Sequence, residues 1–333
     1  MIQKNENLKT ISRNENNIKK EFTLRDFNKL FLPFSILLLA VILSIASPYF
    51  FSIRNFMNLL LSVAVLGIVA VGQTFVILTG GIDLSVGSVV AVTGMFAGLL
   101  LTIPVSIPLT IIIVLGVGVL IGFLTGVSVA KAGVSPFIVT LVGLTIFRGV
   151  AIATTRGLGV NFLPDKFNFI GSGYLFKIPI PVIVMLVIFA LAFFILEYTI
   201  FGRHVYAVGE SKLAAFQAGL KVNKNLILVY MITGFLAAIG GIITTARLGS
   251  AQPLAAQGLE LSAIAAVVLG GTSLSGGRGT IIGTLLGSVL MGLIQNGLNL
   301  LNVGMYYTQI ISGIVLFIVL LFDAISNKRY RIV

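Results

Sequence analysis

The sequence predicts an all-α, polytopic integral membrane protein, and three observations carry that prediction. Hydrophobic residues make up 57% of the 333-residue chain and charged residues only 10%, against about 25% charged in soluble proteins; mean hydropathy is +1.11. The apolar residues fall in repeated runs close to the roughly 20 residues a helix needs to cross a bilayer. Glycine-rich breaks such as "GGIDLSVG" and "GGTSLSGG" separate some of the runs, as expected where one helix stops and another starts.

Taken in order, the runs predict ten spans, near 31–50, 57–79, 86–103, 108–130, 136–155, 179–199, 226–246, 259–275, 281–301 and 307–323. They form one transmembrane domain over 30–323, flanked by a polar basic tail at 1–29 and a second basic tail at 324–333. The N-terminal tail is too long and polar to be the basic region of a cleaved signal peptide, so the first run is expected to stay as a span. The net charge of +12 resides largely in the first tail (Lys4, Lys9, Arg13, Lys19, Lys20, Arg25, Lys29), in the loop 201–225 and in the terminal "NKRYRIV". Basic segments beside membrane spans mark the cytoplasmic face. The charge therefore reads as orientation, with both termini and loop 201–225 inside, and no nucleic-acid partner is implied. The loop 156–178, with Arg156, Lys166 and Lys177 against Asp165, then faces outside as a partial exception. Cysteine is absent and His204 is the single histidine, which leaves no Cys/His metal cluster; His204 reads as an ordinary loop residue.

Gly80–Gly87 and Gly270–Gly277 share the pattern GGxxLSxG, each after one apolar run and before another. On the ten-span count both breaks lie at the same face, so they are not mirror images of an inverted repeat. Asp83 and its counterpart Ser273 are both good helix N-caps, and a carboxylate there also meets the positive end of the helix dipole. The competing reading places the break in a polar pathway, because irregular backbone at membrane depth survives only where protein or water satisfies it and an intramembrane carboxylate is costly. Gly80, Gly81, Asp83, Ser85, Gly87, Gly270, Gly271, Ser273, Ser275 and Asn296 are the pathway candidates. Gln73, Thr74, Gln295, Asn299, Tyr306 and Tyr307 are further polar residues in apolar runs, better read as helix-to-helix contacts than as ligand contacts.

In loop 201–225, Gly209 precedes Glu210 and Ser211, either of which can start a helix, and Gly219 is placed to stop it. A two-turn helix over about 211–218 results, with Leu213, Phe216 and Leu220 available to an apolar face. Two turns do not repay the cost of nucleation in water; such a helix needs something to dock on, either its own membrane face or the groove of a cytoplasmic subunit.

Three stretches, "GQTFVILTGGIDLSVGSVVAVTG" (72–94), "GRHVYAVGESKLAAFQAGLKVNK" (202–224) and "ARLGSAQPLAAQGLELSAIAAVVLGGTSLSGGRGTIIGTLLG" (246–287), resemble the permease subunit of ribose-type ABC importers. The resemblance runs from about 33 to 323. It implies a half-channel that pairs with a second copy, docks ATP-binding subunits inside and receives a small sugar from an external binding protein in a bacterial inner membrane. It also implies that 209–219, with Gly209, Glu210, Ser211, Ala214, Ala215, Ala218 and Gly219, is the helix that couples to the ATPase. The chain contains no GxxxxGK[ST] phosphate loop, so the ATP and Mg would be used by the partner and no cofactor by this subunit. A rival reading, an ion-coupled secondary transporter, would rest on Asp83 and Glu260. Neither HExxH nor GxSxG occurs, which leaves an intramembrane enzyme without its usual residues.

Overall fold

The computed structural model describes residues 32–330; the expected tail at 1–29 and the last three residues lie outside the described residues. Apolar helices stand at all ten expected places. They are α1 Leu32–Ala46, α2 Ile53–Leu78, α3 Val86–Leu101, α4 Ile107–Ala130, α5 Pro136–Ala153, α7 Ile180–Tyr198, α10 Val222–Leu248, α11 Leu259–Leu269, α12 Ile281–Leu300 and α13 Met305–Tyr330. Five shorter elements complete the described chain: α6 Asp165–Ser172, the strands β1 Tyr174–Leu175 and β2 Ile178–Pro179, α8 Ile200–Glu210 and α9 Lys212–Gln217.

Six of these helices (α2, α4, α5, α7, α10 and α12) are long and apolar enough to cross a bilayer. One of the others, α11, is half-length. α11 stops at Leu269 because Gly270 and Gly271 follow, the latter at φ +87°; the expected span 259–275 ran through this break. Its eleven residues rise only about 16 Å, short of a roughly 30 Å hydrocarbon core. α13, by contrast, continues past the expected end at 323 to Tyr330, into the basic tail.

Lipid is as apolar as leucine, so burial alone does not hold such helices together; close backbone approach does. α10 lies at the centre and touches α2, α3 and α4. On α4, Gly118, Gly122 and Gly126 recur every fourth residue on one face and meet Gly234, Tyr230 and Ile227 of α10. A Cβ on Gly118 would come within 2.6 Å of the Ala238 Cβ, and one on Gly122 within 2.9 Å of the Met231 Cα. On its other sides α10 receives Gly72 of α2, where Thr233 Oγ1 donates to the Gly72 carbonyl at 3.1 Å, and Gly94 of α3 opposite Gly241 and Thr245. Burial follows from this arrangement: the most apolar stretch of α2 is 83% buried and that of α5 only 17%, so α5 belongs to the rim and α2 to the centre.

Replacing Gly122 by leucine is expected to overpack the α4–α10 crossing and cost about 1–3 kcal/mol, read as a lower thermal midpoint in detergent. Gly116→Ala, with nothing within 4 Å of its added Cβ, is expected to leave the midpoint unchanged.

Candidate functional site

The two glycine breaks, remote in sequence, meet. The Leu78 carbonyl at the end of α2 accepts from the Gly277 backbone N–H at 2.9 Å, and a Cβ on Gly276 would stand 2.9 Å from the Gly80 nitrogen. Gly276 and Gly277 both take φ above +70°, the left-handed region where a side chain is strained. The last turn of α8 closes the third side. Gly209 lies so close that a Cβ there would overlap the Leu78 carbonyl, and Gly277 sits against Glu210. One junction therefore joins the end of α2, the segment after α11 and the end of α8.

Inside the first break, Asp83 is buried at 4% exposure. It is not the N-cap of α3, as expected from sequence; that position belongs to Ser85. Instead its Oδ1 accepts from the Ser85 N–H at 2.8 Å and from the Ser85 hydroxyl at 2.6 Å, a turn closed two residues upstream of the helix. The Asp83 backbone is gripped in turn by Gln73 of α2, whose Nε2 donates to the Asp83 carbonyl at 3.2 Å and whose Oε1 accepts from its N–H at 3.1 Å. Ser273 is not an N-cap either, since Thr280 caps α12 by accepting from the Gly283 N–H. Its hydroxyl accepts from the Ser275 N–H at 3.3 Å, the same two-residue turn as Asp83 makes. The likeness stops at the glycines: positive φ falls on Gly80 in the first pair and on Gly271 in the second.

Register against α5 sets the depth of the first break. Thr140 Oγ1 donates to the Ile82 carbonyl at 3.1 Å, and Gly143 faces Ser85. Measured from Pro136, these positions lie about 6 and 10 Å along the helix. The first break thus packs alongside α5, one to two turns in from its start, and not against its end. A further turn along, Arg148 Nη1 donates to the carbonyls of Pro253 and Ala255 at 3.0 and 2.8 Å. It holds the non-helical segment that leads down to α11. The reading from sequence passed over Arg148, though a lone arginine within an apolar run was a legible signal.

Other polar candidates resolve into helix-to-helix contacts. Asn296 exchanges amide hydrogen bonds with Asn55 at 2.7 and 3.2 Å, and Thr74 pairs with Thr284 at 2.8 Å. Gln295 Nε2 donates to the Ser262 hydroxyl at 3.1 Å, while Asn299 and Tyr307 are exposed.

The expected short helix exists as α9, six residues long. Ser211 is its N-cap and accepts from the Ala214 N–H at 3.2 Å; Gly219, at φ +82°, turns the chain away after it. Gly209 and Glu210 do not begin this helix. They end α8, an eleven-residue helix where the sequence suggested a loop, and His204 lies on that helix. Ala215 is buried against Val208 and Leu226, so it seats α9, whereas Leu213 and Phe216 are about 70% exposed on the outer side. Gly87 adjoins Glu260 of α11, and no metal-binding cluster occurs among the described residues.

The family described as the permease component of branched-chain amino acid transport systems matches residues 55–320. The chain belongs to that family of permeases. It is 45% identical over 293 residues to the ribose import permease of Haemophilus influenzae, covering 87% of this chain and 91% of that protein. It is 46% identical over 299 residues to the ribose import permease of Escherichia coli K12 (89% and 92% covered) and 44% identical over 291 to that of Bacillus subtilis (86% and 89%). No solved structure matches it. The permease is therefore a transport subunit of the ribose-type ABC importer class and a multi-pass protein of the bacterial inner membrane.

Asparagine at 83 still accepts from Ser85, so Asp83→Asn is expected to give near-normal membrane yield and uptake. Asp83→Ala leaves two buried donors unanswered at a cost of about 1–3 kcal/mol each and is expected to lower folded yield, read by detergent gel filtration.

Proposed function

We propose that this permease forms the membrane pathway of an importer that carries a small sugar, a ribose-like monosaccharide, into the cell at the expense of ATP hydrolysed elsewhere. The observation that carries the reading is α9. Its seated face (Ala215) and free apolar face (Leu213, Phe216) suit a helix held by its own protein and offered to another. Through Gly209 the same segment touches both membrane breaks. A push on α8 and α9 is passed to the end of α2 and to the start of α12 by contacts too close to slip. The proposed mechanism is alternating access, in which ATP binding and hydrolysis in cytoplasmic partner subunits move α8–α9 and rock the spans to open the pathway to either side.

On this reading α9 and loop 201–225 face the cytoplasm with both tails, 1–29 and 324–333. Mg and ATP stay in the partner ATPase, because the permease carries no phosphate loop of its own. A second copy of the chain completes the channel, and an external sugar-binding protein delivers the substrate. The relatives near 45% identity are named for ribose, which favours a sugar over the amino acid of the broader family description. Uptake of labelled ribose and labelled leucine by cells expressing the complete importer decides between them. Ribose uptake supports the reading, and leucine uptake alone overturns it.

Phe216→Asp changes only an exposed side chain. It is expected to leave membrane yield intact while reducing co-purification of the ATP-binding subunit about tenfold, the scale of one interface anchor. Ala215→Arg is expected to fail differently, by unseating α9, which a lower thermal midpoint would reveal.

A further inference from the structure

Most of the outer surface of the single subunit is apolar: Leu120 and Leu124 on α4, Leu141 and Ile146 on α5, Leu191 and Phe194 on α7 are each about half exposed. One face breaks that pattern. Between the start of α11, the second half of α12 and α13 lies a cavity of about 440 Å³ where Gln257, Ser262, Gln295, Thr308, Gln309 and Ser312 stand beside the apolar Ala256, Leu259 and Leu261. α13 is two-sided: Thr308, Gln309 and Ser312 line the cavity, while Ile310, Ile314 and Phe317 are more than half exposed. Residues four apart share a helix face, so the polar stripe is set against an apolar one.

Hydrocarbon cannot solvate amides, hydroxyls or a carboxylate, and at membrane depth such groups face water or protein. Gln257 and Gln309 are exposed, so the described residues of this subunit do not cover them. The backbone beside them, Ala256 to Gly258, is non-helical, which hydrocarbon also excludes. Glu260 is only 8% exposed. Its Oε1 accepts from the Gly258 N–H at 3.2 Å, while its Oε2 has no hydrogen-bond partner and lies against Gly87, where a Cβ would overlap it.

We propose that this cavity is the wet wall of the translocation pathway and the place where the moving sugar is contacted, through the amides of Gln257 and Gln309 and the hydroxyls of Thr308 and Ser312. The inference rests on the permease reading above, and Glu260, whose carboxylate is turned onto Gly258 and Gly87, shapes the wall without reaching into it. A monosaccharide presents many groups that both donate and accept; glutamine amides and Ser/Thr hydroxyls answer in both senses. The described lining holds no aromatic ring, so contact is weak, as a station that substrate must leave requires. The faces of α4, α5 and α7 are then lipid-facing and take no part.

The chain has no cysteine, so single introduced thiols report unambiguously. Gln257→Cys, Gln309→Cys and Ser312→Cys are placed in the complete importer, with Ile146→Cys as the lipid-face control. Each is treated with a charged, membrane-impermeant methanethiosulfonate in whole cells and in inside-out vesicles. Modification of the cavity thiols about tenfold faster than Ile146→Cys, from at least one side, is expected for positions in water rather than hydrocarbon, and excess D-ribose is expected to slow it. Rates equal to the control from both sides overturn the proposal and assign the face to a dry contact with a second copy. Fast modification that D-ribose leaves unchanged removes the sugar contact. If the wild-type importer takes up no ribose, the sugar reading fails on its own, and the labelling still reports whether the cavity is wet.

Discussion

Backbone broken inside a membrane has to find its hydrogen bonds within the protein, and this fold is organised around meeting that demand at two places that touch. The Leu78 carbonyl, left over where α2 ends, is answered by Gly277 from the other break. The Asp83 peptide is answered by Gln73, and the Ser85 amide by Asp83 itself. The partners come in turn from the other break, from α2 and from within the first break itself. The breaks are consequently not loose ends but the points where α2, α3, α8 and the segment before α12 are fixed relative to one another.

Glycine makes the meeting possible. Where α2, α8 and the second break converge, the backbones are too close for a Cβ at Gly209 or Gly276. The same device, close approach through small residues, sets α4 against α10 and brings Gly270 of α11 against Gly283 of α12. The closely packed glycines thus serve two tasks, joining helices along their length and bringing helix ends together. The second task links the surface that α9 offers to the interior of the membrane domain. Contacts between backbones, unlike those between long side chains, leave little room to absorb a displacement.

Arg148 and Glu260 extend the same logic one level further in. Arginine on α5 answers the carbonyls of Pro253 and Ala255, which the turns before α11 would otherwise leave bare. Glu260 answers the Gly258 N–H at the head of α11. Two charges in the apolar part of the chain therefore serve first to let a half-length helix begin there, and the polar cavity beside them follows from that early start.

Ten apolar helices, the turn residues at both breaks and a short capped helix ending at Gly219 were legible in the sequence, because hydropathy, capping and glycine preference act over neighbouring residues. Ser211, Leu213 and Phe216 could be read in the same way. Tertiary structure decided the rest. That Asp83 closes a turn instead of capping α3 depends on where Gln73 and Ser85 hold it. That the end of α11 lies against the start of α12 depends on Gly270 meeting Gly283. That Gly209 belongs to a junction and not to α9 depends on Leu78, some 130 residues earlier in a chain whose fold brings them together. Local propensity cannot encode which carbonyl a glycine will meet, since that is fixed only when helices far apart in sequence pack side by side.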